Sequence, residues 1–252
     1  KQRIADYIAD FLVKNGINTV FSVVGGGAMH LNDAFGKHEK LNVIHNHHEQ
    51  ASAMAAEGYA RMNGKIAAVC VTTGPGGTNA ITGVLGAWQD NVPMLVISGQ
   101  VRYATTIEAS GLNLRQMGEQ EYCIVKSVYP MTKYAYMIKD VSEVPYVLEK
   151  AIYLATHGRS GPVWVDIPLN IQGAEVDLAG FEHFKAVEER HDVKNITNKI
   201  IEKLRMAKSP FLLAGAGIRR GNAYKEFRMV AEKLRIPIVS PTCVADILPL
   251  SY

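Results

Sequence analysis

The sequence has no apolar run of the ~18 residues that a membrane-spanning helix needs. It has few cysteines: three, at Cys70, Cys123 and Cys243, widely spaced and without a C-x-x-C pair. That excludes a disulfide framework and a zinc ribbon, and it predicts reduced, mostly packed thiols. Charge of one sign is also scarce. Lys plus Arg number 27 against 24 Asp plus Glu, and no basic stripe forms, so nucleic-acid binding is not expected. The glycine-rich loops carry no lysine, which excludes a P-loop. His47-His48 lack a third ligand at zinc spacing, so no metal site is expected. Lys1-Gln2-Arg3-Ile4-Ala5-Asp6 puts acid where a signal peptide would be apolar, so a cytoplasmic chain is expected.

What is present is an alternation of strand and helix patterns. Ile4, Ile8, Phe11 and Leu12 share helical spacing. Short apolar strands are predicted at 19–24, 42–45, 66–72, 93–98 and 161–168. Between them lie helices at 28–37, at 46–61, from about Ala80 to Trp88, and over the stripe Val144, Val147, Leu148, Ala151 and Ala155. Strands that alternate with helices predict an α/β fold with a doubly wound, mostly parallel sheet and helices on both faces. Residues 101–123 show no period and read as a long loop. Residues 171–194 lose the period and read as a linker. A second βα pattern follows over 195–252. It has only two strands, which predicts an incomplete unit of a longer protein.

The stretch Asn46 to Arg61, N-H-H-E-Q-A-S-A-M-A-A-E-G-Y-A-R, stands out. Glu49 has two readings. In one it closes a capping box with Asn46, worth about 1 kcal/mol. In the other it is a functional carboxylate on a helix whose small residues, Ala51 to Ala60, admit another backbone. Two glycine segments follow strands, Gly25–Gly27 and Thr72-Thr73-Gly74-Pro75-Gly76-Gly77-Thr78-Asn79. In α/β folds such positions hold ligands. Their structural alternatives are a tight turn and an N-cap at Thr78 or Asn79.

These motifs together resemble the thiamine-diphosphate-dependent 2-keto-acid decarboxylase superfamily, most closely its acetolactate synthase branch. The matching stretches are H-E-Q at 48–50, A-A-E-G-Y-A-R at 55–61, T-T-G-P-G-G-T-N at 72–79, V-P-M-L-V-I-S-G-Q-V at 92–101 and G-R-S-G-P-V-W-V-D-I-P at 158–168. The resemblance implies that residues 1–170 bind the aminopyrimidine ring of thiamine diphosphate, and that 195–252 begin a central Rossmann-like domain. It implies that Glu49 exchanges a proton with N1′ of that ring, so that the cofactor can decarboxylate a 2-keto acid such as pyruvate and pass two carbons to an acceptor carbonyl. It gives Gly25, Gly26, Thr73, Pro75, Gly76 and Asn79 to the walls around the ring, and Gln120 to the substrate. It gives Arg102, Gly215, Gly217 and Arg219 to FAD.

The family's G-D-G…N motif for Mg²⁺ and diphosphate does not occur in the 252 residues. The chain alone is therefore expected to be inactive, with Mg²⁺ held on a further domain. The active site is expected to be shared between subunits of a homodimer or tetramer, and an apolar patch is expected near Glu49. Two departures matter. Val24 stands where the family often has proline, and Glu119 where it has phenylalanine. The acid at 119 keeps two alternatives open: a carboligase for a nucleotide-linked sugar, and a non-catalytic nucleotide- or flavin-binding module.

Overall fold

The computed structural model describes residues 1–187 and 192–248, which form two compact units dividing after Ala186. In the first unit each β-branched run becomes a strand and each stripe of helical period a helix. The chain runs β1 (Gln2–Arg3), α1 (Ile4–Lys14), β2 (Thr19–Ser22), α2 (Met29–Lys37), β3 (Asn42–His45) and α3 (Glu49–Asn63). It continues through β4 (Ala67–Val71), α4 (Pro75–Gln89), β5 (Met94–Gln100), α5 (Ile107–Ser110) and α6 (Ile124–Val128). It closes with β6 (Tyr134–Met137), α7 (Val144–Thr156), β7 (Pro162–Pro168), α8 (Leu169–Gln172) and β8 (Glu175–Val176).

Six strands form one parallel sheet in the order β3-β2-β4-β5-β7-β6. The doubly wound α/β expectation holds. Alternation along each strand divides the core. Cys70, Leu95, Ile97, Val163 and Val165 face α1, α2 and α7. Val69, Val71, Met94, Val96 and Trp164 face α3, α4 and α6. Period-2 side-chain geometry requires this, and it buries both faces. The order reverses beside β2: the chain leaves it for β3 and returns on its other side as β4. Such a reversal opens a crevice beyond the carboxyl ends of the two strands.

Three local expectations are corrected. Helix α4 starts at Pro75, not near Ala80, because Gly74 is its N-cap and proline is well suited to the first helical position. The glycines of the loop are thus its first turn. Helix α3 starts at Glu49 with His48 as N-cap, whose Nδ1 accepts from Gln50 N at 3.1 Å. Asn46 is not the cap, and Glu49 cannot close a box with it. Third, β6 was not anticipated, since Tyr-Ala-Tyr-Met is half-buried at the sheet edge and carries little apolar signal.

The segment expected as a linker begins inside the first unit. Ile171 and Gln172 are buried, and β8 pairs antiparallel with β1 through Gln2↔Val176 and Arg3↔Glu175. Residues 188–191 of that segment, and 249–252 of the second domain, lie outside the described residues. The second unit holds α9 (Val193–Met206), β9 (Leu212–Leu213), α10 (Gly217–Arg220), α11 (Tyr224–Leu234) and β10 (Ile238–Val239). Its two strands pair in parallel, beside a small cluster of Ala214, Val244 and Ile247.

Among the described residues no helix is long and apolar enough to cross a membrane. Cys70 is buried, and desolvation pushes its thiol up to about 12, so it is inert at neutral pH.

Candidate functional site

The crevice beside β2 and β4 is where the sequence places its glycines. The Gly25–Gly27 turn leaves β2, and the Thr72–Gly76 turn leaves β4. The two are joined directly: Gly27 N donates to Thr72 Oγ1 at 3.0 Å. They also touch so closely that a Cβ on Gly25 would overlap the Thr72 side chain. A Cβ on Gly76 would lie 2.6 Å from Thr72 Cγ2 and 3.5 Å from Glu49 Oε1. A larger residue at Gly76 would crowd both Thr72 and the Glu49 carboxyl.

Glu49 reaches this point as the first residue of α3, and it is only 9% exposed. Its Oε2 accepts from Asn79 Nδ2 at 2.9 Å. Among the described residues no donor reaches Oε1. The arrangement therefore holds a buried carboxyl by one oxygen and leaves the other for something else. A helix N-terminus favours the negative charge there by a few tenths of a kcal/mol to about 1.

Gly74 has φ +59°, the left-handed region, and a Cβ on it would overlap the carbonyl of Gln120. Gln120 itself has φ +55°. The long loop thus brings its Gln120 backbone onto the Thr72–Gly76 turn. Glu121 organises that loop from within, accepting from Ile107 N at 2.7 Å and Met117 N at 2.9 Å.

Behind the turn lies a buried polar chain. Thr73 Oγ1 donates to Gln100 Oε1 at 2.5 Å, and Gln100 Nε2 donates to Asp166 Oδ2 at 2.9 Å. Ser98 Oγ donates to Asp166 Oδ1 at 2.6 Å and accepts from Trp164 Nε1 at 2.7 Å. Gln172 Nε2 supports the other turn, donating to Gly27 O at 2.8 Å.

These geometries place Glu49, Gly25, Gly76 and Asn79 together, with Thr73 and Gln120 adjoining. Residues 2–121 match the family described as thiamine pyrophosphate enzyme, N-terminal TPP binding domain. Those residues, just under half of the chain, are a domain of this family. It is similar to the acetolactate synthase large subunit of Lactococcus lactis subsp. lactis (strain IL1403), 35% identical over 94% of this chain and 40% of the relative. It is also similar to the acetolactate synthase large subunit of Buchnera aphidicola subsp. Schizaphis graminum (strain Sg), 36% identical over 94% of this chain and 41% of the relative. The chloroplastic acetolactate synthase of Arabidopsis thaliana is 32% identical over 94% of this chain and 34% of the relative. The chain spans about 40% of the length of the first two relatives.

The remaining site residues fall as follows. Pro75 opens α4, and Gly26 has open space at its Cα. Arg102 is exposed, after β5. In the second unit Gly215 and Gly217 have open space at Cα. Arg219 there is held by Asp246 through Nη1–Oδ1 at 3.0 Å and Nη2–Oδ2 at 2.9 Å. Among the described residues no group of three or more His, Cys, Asp or Glu is placed to hold a metal ion.

Sequence reasoning placed Thr72 and Gly74 within the T-T-G-P-G-G-T-N segment but did not single out Gln100, Asp166 or Gln172. A signal existed: Ser98, Gln100 and Asp166 are polar residues within otherwise apolar buried strands, and buried polar groups require partners. Burial raises Asp166 to about 7, against the smaller opposing effect of its bonds from Ser98 and Gln100. Those donors suit the ionised form, while the absence of water suits the neutral one. An acid raised in the fold binds more protons folded than unfolded, so it adds stability at low pH and loses it as pH rises through about 7. Melting curves of wild type and Asp166→Asn between pH 4 and 8 should therefore diverge in slope. The wild type loses stability with rising pH relative to the variant, and parallel curves would refute the assignment.

Proposed function

We propose that this chain supplies the aminopyrimidine half of a thiamine-diphosphate site in an acetolactate synthase-like carboligase. The observation that carries this reading is the Glu49 carboxyl, buried in a glycine-walled crevice with Oε2 fixed by Asn79 and Oε1 open. The residues fit a flat, polar heteroaromatic ring. Glu49 would meet a ring nitrogen, and Gly25 and Gly76, packed against Thr72, would form walls beside the ring. Gln120 would lie toward the substrate. When bound, thiamine diphosphate supplies an electron sink for the decarboxylation of a 2-keto acid, for which we propose pyruvate. Glu49 would exchange a proton with the ring, and Asn79 would hold the carboxyl in place for that exchange.

The proposal gives this chain the ring half alone. Mg²⁺ and the diphosphate are assigned to protein beyond these residues, so the chain by itself would not turn over substrate. FAD is not part of this proposal; of the residues the resemblance gives to it, Arg219 is paired with Asp246. A second reading, a polar acceptor such as a sugar, is favoured only by Glu119, an exposed acid beside Gln120.

The test is carbon dioxide release from pyruvate by the intact protein carrying this chain, with thiamine diphosphate and Mg²⁺. Calorimetric titration of thiamine diphosphate accompanies it. Binding without release from any 2-keto acid would favour a non-catalytic module. No binding at all would refute the reading.

The partner we propose is a second copy of this chain. Helices α3 and α4 pack so tightly that a Cβ on Gly83 would lie 2.5 Å from Ala53 Cβ. Their other sides expose Met54 and Met62 on α3, and Leu85 and Trp88 on α4. Ala51 and Gly58 are exposed on α3 as well, so small residues outnumber what α4 requires. Met54→Glu combined with Trp88→Glu should shift the intact protein toward monomer in sedimentation and lower its activity with it. Unchanged assembly would remove this surface from consideration.

A further inference from the structure

Gln100 is a side chain that touches three separate parts of the site's frame. It stands at the end of β5, 1% exposed. Its Oε1 accepts from Thr73 Oγ1 at 2.5 Å and from Val101 N at 3.0 Å. Its Nε2 donates to Asp166 Oδ2 at 2.9 Å and to Tyr122 O at 3.0 Å. All four hydrogen-bonding positions of the amide are thus filled. Val101 N and Tyr122 O are the two ends of the loop that carries Gln120. Thr73 belongs to the turn that walls the Glu49 crevice, next to Gly74, against which the Gln120 carbonyl packs.

The orientation of this amide is fixed from behind. Asp166 is fully buried and accepts from both Ser98 and Gln100. The Val101 amide can only donate and the Tyr122 carbonyl can only accept, so the Nε2 edge of Gln100 must face Tyr122 O and, beside it, Asp166. The Oε1 edge must then face the Thr73 hydroxyl and the Val101 amide. An amide turned over would set two acceptors together at Tyr122 O and donor against donor at Val101.

We propose that Gln100, bonded to Asp166, is a positioning residue that sets the Thr73–Gly74 turn and both ends of the Gln120 loop in register for cofactor binding. Gln100 does not touch the cofactor. It closes the mouth of the loop and fixes the turn through Thr73. This inference rests on the thiamine-diphosphate reading above.

The experiment is a swap of donor and acceptor in the intact protein, read by calorimetric titration of thiamine diphosphate with Mg²⁺. Gln100→Glu keeps the size and removes both Nε2 donations, placing a second acid against Asp166. Its affinity should fall about tenfold or more, the scale of a buried hydrogen bond turned unfavourable. Asp166→Asn alone should cost less, because its amide oxygen can still face Gln100. Combining the two restores a donor facing an acceptor, and should recover most of the lost affinity. A purely space-filling role would give additive losses instead. Should Gln100→Glu fail to fold, Thr73→Val and Thr73→Ser replace it. The valine removes the hydroxyl at equal size and should bind about tenfold more weakly, while the serine keeps the hydroxyl and should lose clearly less than the valine.

Wild-type affinity in Gln100→Glu or Thr73→Val, or a double variant no better than its worse parent, overturns the inference. A wild type that binds no thiamine diphosphate overturns the proposed function itself, which is a different result.

Discussion

Glu49→Gln should lower carbon dioxide release from pyruvate by the intact protein by about 100-fold or more, the scale of lost general acid–base catalysis. Thiamine diphosphate should still bind. The glutamine amide can accept from Asn79 with its oxygen, as Oε2 does now at 2.9 Å, and can present its nitrogen to the crevice. It cannot give up or take back a proton there. The loss should therefore appear in kcat, with affinity for the cofactor little changed. Stability should change little as well. Glu49 is the first residue of α3, so its charge adds only a few tenths of a kcal/mol to about 1 through the helix dipole. A variant as active as wild type would remove Glu49 from the chemistry. A variant that unfolds would show that the carboxyl serves the fold.

Gly99→Ala should produce the largest loss of stability of any single methyl added to the sheet. Gly99 pairs with Ile167 in the middle of the parallel sheet, where its Cα lies under the turn that leaves β2. A Cβ there would overlap the carbonyl of Gly27 and lie 2.6 Å from Ala28 Cα. Both neighbours are backbone, which no rotamer change can move aside. The turn would have to lift from the sheet, and Gln172 would lose its grip on Gly27 O. A cost of about 3 kcal/mol is expected, the upper end of overpacking. It would be read as a lowered thermal midpoint in the ligand-free protein. Cofactor affinity should fall with it, because Gly25 and Gly27 belong to the same turn. Gly36→Ala is the control, since nothing stands within 4 Å of its added Cβ. It should gain about 0.5–1 kcal/mol as a helical glycine replaced. Equal midpoints for Gly99→Ala and wild type would show that the turn is free to move.

Much of the fold was legible because the relevant physics is local. An apolar run such as Ala67–Val71 has to be buried on both faces, and the stripe through Val144, Val147, Leu148 and Ala151 can only be one side of a helix. Alternating the two predicts a doubly wound sheet, and the family motifs pointed to Glu49, Asn79 and the two glycine turns. Local pattern failed where burial was partial or where an element began. Tyr134–Met137 joins the sheet at its edge and has little need of apolar residues. The start of α4 was masked by glycines, which suit a loop as well as they suit a first helical turn beside a crevice.

The sequence by itself determined the alternation of strand and helix, the two apolar faces, the family of residues 2–121 and the carboxylate at the head of α3. Only the tertiary structure decided which strands are neighbours. It was the return of the chain across β2 to form β4 that brought Gly25–Gly27 against Thr72 and set Gly76 beside Glu49. The same holds for Thr73, Gln100 and Asp166. Each polar residue in a buried strand announces that it needs a partner, but the partner is named by the pairing of β5 with β7, in which Ser98 lies opposite Asp166. Local periodicity fixes which way a side chain points. What it meets there depends on contacts between segments far apart in the chain.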